Sequence, residues 1–294
     1  MALEVKESFP EDNVEIAGVT LNEEKIPHTH IKVTTMEIEN NRGARAMGKP
    51  MGVYITLEMK KESLEDKEQQ RLVELLCNYI RKLAGGIEGK QILIAGLGNR
   101  ELTADALGPF VIDKLQVTRH LVREFGEDIP YHHKLQQVSA IAPGVMAQTG
   151  MESAEILRGI VGETKPDFLI VIDALAARSM SRLCTTIQMT NTGICPGSGV
   201  GNNRHALNQE SLGVPVLAIG VPTVVDAQTI VADSVEEMLH QYGVSEREAN
   251  GFLGELFEQG VQRMFVTPKN IDELVEKMGE TLAQALNVSF CTNV

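Results

Sequence analysis

From residue 91 onward, short apolar runs alternate with amphipathic segments. The apolar runs are "QILIAG" (91–96), "QVSAIAPG" (137–144), "PDFLIVIDALA" (166–176), "TTIQMTN" (185–191) and "VPVLAIGVP" (214–222). They read as strands, the third of them apolar along nearly its whole length, as a strand buried on both faces is. Between and after them, "GMESAEILRGIVGE" (150–163) and "DAQTIVADSVEEMLHQYG" (226–243) read as helices, and "DALGPFVIDKLQVTRHLV" (105–122) as an amphipathic segment. Two further helices, "EANGFLGELFEQGVQ" (248–262) and "NIDELVEKMGETLAQALNV" (270–288), close the chain. This alternation predicts the α/β class, a mostly parallel sheet with helices on both faces.

The first 90 residues follow another pattern. "IKVTTMEIE" (31–39) and "GVYITLEM" (52–59) alternate apolar with polar, as half-buried strands do. They pair as a small N-terminal antiparallel annex, joined by "NNRGARAMGKP" (40–50), read as a loop. In "SLEDKEQQRLVELLCNYIRKLAGG" (63–86), Ser63 offers a helix cap, and Leu72, Leu75, Leu76, Ile80 and Leu83 recur at helical spacing. Gly85 and Gly86 stop that helix. Residues 1–30 are polar, carry Pro10 and Pro27, and read as a mobile N-terminal arm. With no repeat and no low-complexity linker, residues 31–294 form a single α/β domain.

Charge and cysteine content narrow the function. The formal net charge is -13, and no cluster of lysine and arginine supplies a basic face, which argues against a nucleic-acid binder. Cys77, Cys184, Cys195 and Cys291 form no CxxC pair and read as reduced thiols. The acidic N-terminus has no basic region followed by an apolar one, so it is not read as a signal peptide. No apolar run reaches the ~18 residues of a membrane helix. These features lead us to expect a cytoplasmic protein.

In an open α/β sheet, ligands and catalytic groups collect beyond the carboxyl ends of the strands. The residues there are Gly96, Gly98, Asn99 and Asp105 after the first core strand and Ala142, Pro143 and Gly144 after the second. Asp173 and Arg178 follow the third, "GICPGSGVGNNR" (193–204) the fourth, and Pro222, Thr223 and Asp226 the fifth. The dinucleotide fingerprint fails, because its third glycine position holds the bulky, anionic Glu101. "PGSGVG" (196–201) lacks the Gly-Lys-Ser/Thr of a phosphate loop; it suits close backbone approach to an extended ligand, or a plain structural turn. No G-x-S-x-G and no HExxH occurs, and the histidines of "YHHK" (131–134) read as a solvated loop. Asp226 fits a helix cap better than a cleft carboxylate.

Asp105 and Asp173 remain. Asp105 stands at a helix start between Ala104 and Ala106, and Asp173 ends an apolar strand. Each alone could be a cap or turn residue. Two carboxyls at one sheet edge, however, can split their pKa values, one acting as acid and the other as base. That arrangement suits peptide hydrolysis by activated water.

These same stretches resemble the germination proteases of spore-forming bacteria. The resemblance runs through "GLGNRELTADALGP" (96–109), "VSAIAPGVMAQTG" (138–150), "KPDFLIVIDALAARS" (165–179), "TTIQMTNTGICPGSGVGNNR" (185–204) and "LGVPVLAIGVPTVVDA" (212–227). It resumes in "MFVTPKNIDELVEKM" (264–278). The resemblance implies an atypical aspartic endopeptidase that degrades small acid-soluble spore proteins at germination in the spore core. It implies a fold related to the hydrogenase-maturation peptidases, a homotetramer, no cofactor and no direct contact with nucleic acid or membrane. The family's two essential aspartates match Asp105 and Asp173. Cys195 stands where relatives carry histidine. No pro-segment is recognisable, and an insertion before "MFVTPK" is shortened to "VSEREANGFLGELFEQGVQR" (244–263), so zymogen control does not carry over directly. Glu15-Ile16-Ala17 resembles the family's cleavage sequences, which makes Ala17–Gly18 a candidate self-cleavage bond. The alternatives are a metal-dependent processing peptidase using the same carboxylates with His205, and a non-catalytic binder of spore proteins.

Overall fold

The computed structural model describes residues 16–60, 63, 66–86, 89–126, 136–201, 204–242 and 264–290. The apolar runs of the second half lie side by side in one mixed sheet. Strands β4 (Gln91–Gly96), β5 (Gln137–Ile141), β6 (Phe168–Ala177) and β8 (Val216–Asp226) are parallel, in the order β5-β4-β6-β8. Strand β7 (Thr186–Thr190) runs antiparallel to β8. Beyond it come β3 (Gly52–Glu58), β2 (Lys32–Ile38) and β1 (Val19–Lys25), each antiparallel to its neighbour. The annex predicted from residues 31–59 is therefore continuous with the core, and β7 is the strand that joins them.

Alternate residues explain why the parallel runs are apolar throughout. Ile92, Ile94, Ile170, Ile172 and Ile219 face one side, where α2 (Asp66–Leu83), α3 (Leu107–Asp113) and α9 (Ile271–Phe290) pack. Leu93, Ala95, Leu169, Val171 and Ala218 face the other, against α6 (Ser153–Thr164) and α7 (Gln209–Leu212). Both faces are covered, so neither set of positions tolerates polar side chains. Burying each such isoleucine or leucine contributes roughly 1.5–3 kcal/mol.

Three expectations change. Residues 19–25 are not part of a free arm: they pair with β2 along their whole length, from Val19 opposite Ile38 to Lys25 opposite Lys32. Their side chains are mostly exposed, so no alternation betrays the strand; backbone pairing and the Glu23–Lys32 ion pair at 2.7 Å hold it. The segment read as the loop 40–50 contains α1 (Asn41–Met47), capped by the Asn40 side chain on the amides of Arg42 and Gly43 and ended by Gly48 in the left-handed region. The amphipathic segment 105–122 is not continuous either: α3 ends at Asp113 and α4 (Arg119–Phe125) follows. The helix expected at 248–262, Cys291 and the histidines of 131–134 lie outside the described residues.

The two sheet edges are finished differently. At β5, one residue of the α3–α4 connection occupies the outer side. The Thr118 amide donates to the Val138 carbonyl at 3.0 Å, and the Thr118 hydroxyl accepts from the Val138 amide at 3.0 Å. At β1 the outer side carries exposed, charged residues instead. Among the described residues no helix is long and apolar enough to cross a membrane, and none of Cys77, Cys184 and Cys195 is in a disulfide.

Candidate active site

The chain leaves β4 toward β5 on one side and leaves β6 toward β8 on the other. Neighbouring strands whose connections diverge make a crevice at their carboxyl ends. Strand β4 stops where Gly96 pairs with Ile172, whereas β6 continues to Ala177 against a long β8. Asp173 is therefore not the last residue of its strand, as the apolar run had implied. It is the first residue of β6 beyond its ladder with β4, and it sits opposite Gly220 of β8.

Asp105 reaches the same crevice through a tight turn. The 3₁₀ turn Thr103–Asp105 precedes α3, and the Asp105 amide donates to the Leu102 carbonyl at 2.7 Å. Its carboxylate accepts from the Asn99 amide at 2.8 Å. The Asn99 side chain accepts from the Glu101 amide at 3.0 Å and from Gln148 Nε2 at 2.9 Å. From the other side, the buried Thr223 hydroxyl of β8 donates to the Ala104 carbonyl at 2.6 Å. The glycines in this stretch serve that packing rather than a phosphate. A Cβ on Gly98, at φ +116°, would lie 1.9 Å from the Asp105 carbonyl oxygen, and one on Gly96 would lie 2.2 Å from that of Gly108. Neither position admits a side chain without moving the turn.

Both carboxyls line one cleft of about 520 Å³. Its walls include Leu102, Leu175 and Phe265, and the glycine-rich segment from Cys195 to Gly199. Phe265 arrives on the short strand β9 (Phe265–Val266), which pairs with the end of β8. The glycine-rich segment belongs to a loop closed at its base by paired hydrogen bonds between Ile194 and Leu207, at 3.0 and 2.7 Å.

Electrostatics separate the two acids. Burial raises Asp105 above the usual carboxylate range, while the Asn99 hydrogen bond and the positive charge of Arg204 hold it back. Asp173 is only 7% exposed. Burial first, and the nearby charge of Asp105 second, push it up to about 8, against the opposing Ala174 amide and Arg204. Between the titration of Asp105 and that of Asp173 the cleft holds one proton on two carboxyls.

The other sequence candidates fall elsewhere. Asp226 caps α8 (Ala227–Gln241), accepting from the Gln228 amide at 2.9 Å. His205 is turned to Glu152, with Nδ1 2.6 Å from Oε2. Among the described residues no three His, Cys, Asp or Glu side chains converge as a metal site. Cys195 does line the cleft. Sequence reading left Gln148, Phe265 and the role of Arg204 unassigned, since they are brought in by the four-residue helix α5 (Met146–Thr149), the short strand β9 and a loop, none with a periodic signal of its own.

Comparison with known proteins identifies the family. The family model described as germination protease matches residues 1–262. A germination protease of Caldanaerobacter subterraneus subsp. tengcongensis is 42% identical over 305 aligned residues, covering 98% of this chain and 92% of its own length. One from Clostridium perfringens is 39% identical and covers 100% of this chain and 95% of its own. One from Bacillus cytotoxicus is 37% identical over 95% of this chain and 88% of its own. A solved structure, the NiFe hydrogenase maturation protease HycI of Thermococcus kodakarensis, overlaps 70% of this chain and 99% of its own at 18% identity and a TM-score of 0.33. On the family match and these full-length relatives, the chain belongs to the germination protease family.

Proposed function

We propose that the protein is an endopeptidase in which Asp105 and Asp173 activate water against a peptide carbonyl, with no covalent intermediate. The observation that carries this reading is the sharing of one cleft by two carboxyls, of which the buried one keeps its proton to about pH 8. Ionised Asp105 takes the proton from water as the oxygen attacks. Protonated Asp173 donates to the carbonyl oxygen, giving a gem-diol intermediate; as its C–N bond breaks, the proton gained by Asp105 passes to the leaving amine and a gem-diol hydroxyl returns a proton to Asp173. Activity is greatest between the two titrations, falling in acid as Asp105 protonates and in base as Asp173 ionises.

Family membership supports small acid-soluble spore proteins as the substrates, and with them action in the spore core and a tetrameric assembly. Digestion of such a protein by wild type, Asp105→Asn and Asp173→Asn tests the reading. Each substitution is expected to lower cleavage by about 10²–10⁴-fold. Equal cleavage by all three overturns the dyad; no cleavage by wild type favours a binding relative.

Self-cleavage at Ala17–Gly18 belongs to the same proposal, although Glu15 lies outside the described residues. The bond sits in a turn, with the Val19 amide on the Ile16 carbonyl at 3.0 Å and Gly18 at φ +84°. That turn must open before the bond can lie extended across the dyad. Intact mass after incubation at mildly acidic pH reads the outcome, and an unchanged N-terminus counts against it.

A further inference from the structure

Among the described residues one cation lines the cleft, and it comes from the loop closed by Ile194 and Leu207. Arg204 lies three residues after Gly201, which is itself in the left-handed region, and its side chain is half-buried. The position is anchored from the next residue. Glu152, at the head of α6, accepts from the His205 backbone amide at 3.3 Å and contacts the His205 ring at 2.6 Å. An exposed arginine on a free loop would move with solvent; this one is tied at its C-terminal neighbour and enters the wall that holds the two acids.

The titratable groups around it are Asp105 from the turn after β4, Asp173 from β6, Glu152 from α6, His205 beside it and Cys195 at the foot of its own loop. Glu152 already answers His205. The carboxyls of the dyad have no second cation on the cleft wall among the described residues. Two acids sharing a site repel when both ionise, and burial disfavours even one negative charge. A guanidinium that stays charged at every working pH offsets both effects.

We propose that Arg204 is a positioning charge for the dyad, keeping one of its two carboxyls ionised toward acid pH without contacting the substrate. The inference rests on the two-aspartate reading of the cleft for its effect on catalysis, but not for its effect on titration. Removing the charge moves both titrations upward, because a cation favours the ionised form of each acid. The direct influence of Arg204 on Asp105 and on Asp173 has this sign.

The test is titration of the free enzyme labelled with carbon-13 at aspartate carboxyls, with the two signals assigned from Asp105→Asn and Asp173→Asn. In Arg204→Gln, both midpoints are expected to rise by roughly half to one pH unit, the size of one charge acting across a partly solvated cleft. Arg204→Lys is expected to restore them, and Arg204→Met serves as the neutral variant if the glutamine does not fold. The pH profile of kcat moves the same way. Unmoved midpoints overturn the proposal; if KM alone then rises, Arg204 is a substrate contact instead. Shifted midpoints together with full cleavage by Asp173→Asn uphold the electrostatic role of Arg204 and sink the dyad, so the two failures are distinguishable.

Discussion

The two halves of the sheet treat a buried polar group in opposite ways. One row of residues crosses both. Asp173 is opposite Gly220, Gly220 opposite Gln188, Gln188 opposite Thr56, and Thr56 opposite Thr34. In the antiparallel half the buried part of this row is neutral, made of amide and hydroxyl side chains: Gln188, Thr56 and Thr34 are all nearly inaccessible, and charge returns only at the exposed edge, where Glu23 lies opposite Thr34. In the parallel half the row ends in a carboxyl at the place where β4 stops and the sheet opens. Strand β4 has gone and β6 goes on, so the polar residue of β6 faces a cleft rather than a neighbour. Ladder position is the same in kind; access to a crevice turns polarity into chemistry.

The largest expected difference between the halves is in packing. Ile170, fully buried in β6, sits among strands covered on both faces. Ile170→Ala should lower unfolding stability by about 2–5 kcal/mol, measured by denaturant unfolding. A cost under 1 kcal/mol would mean that the parallel half is not the rigid member of the pair.

Next in size is the effect of the turn that carries Asp105. Gly98 and Gly213 both have positive φ, but a Cβ on Gly213 meets nothing within 4 Å, whereas on Gly98 it meets the Asp105 carbonyl. Gly98→Ala should cut cleavage on the order of 10²-fold, the penalty for moving a catalytic group by about 1 Å. Gly213→Ala should leave cleavage near wild type and cost only about 1 kcal/mol of stability from backbone strain. Similar losses in both would detach the glycines from the site.

A smaller effect concerns pH. Asp173 titrates at about 8 in the folded state against an ordinary 3.8. Between these values the folded chain binds a proton that the unfolded chain has released, so stability falls as pH rises through that window. The slope is at most about 1.4 kcal/mol per pH unit from this one group. Asp173→Asn should flatten that contribution and be relatively more stable at pH 8 than at pH 4, read from unfolding curves at the two values. An unchanged slope would mean that Asp173 is ionised in the fold. Smallest of all, Leu21→Ala on the exposed β1 should change stability by less than about 0.5 kcal/mol.

Legibility in the sequence follows the same division. "FLIVIDALAA" announces a doubly buried strand, and its single aspartate stands out because nothing else there is polar. "VTLNEEK" announces nothing, because an edge strand held by its backbone and wet on its side chains has no period for the eye to find. Asp105 was legible from the bareness of its neighbours, Ala104 and Ala106. Arg204 was not, since a loop returns to the cleft by closure between Ile194 and Leu207, thirteen positions apart in numbering, and local pattern carries no record of that closure. The extension of β6 past Asp173 was hidden for a related reason: apart from Leu175, residues 174–177 are alanines, equally at home in a turn, and only pairing with β8 makes them strand.

Thr118 has one more consequence. Through its amide and its hydroxyl it takes up the outward-facing backbone groups of Val138 on β5. A protease works among unfolded and extended chains, and an unguarded strand edge would recruit them as readily as a cleft does. One threonine thus withholds a competing place for a peptide to lie. At Val138, the edge of β5 offers an extended chain no backbone partner in competition with the cleft beside Asp105 and Asp173.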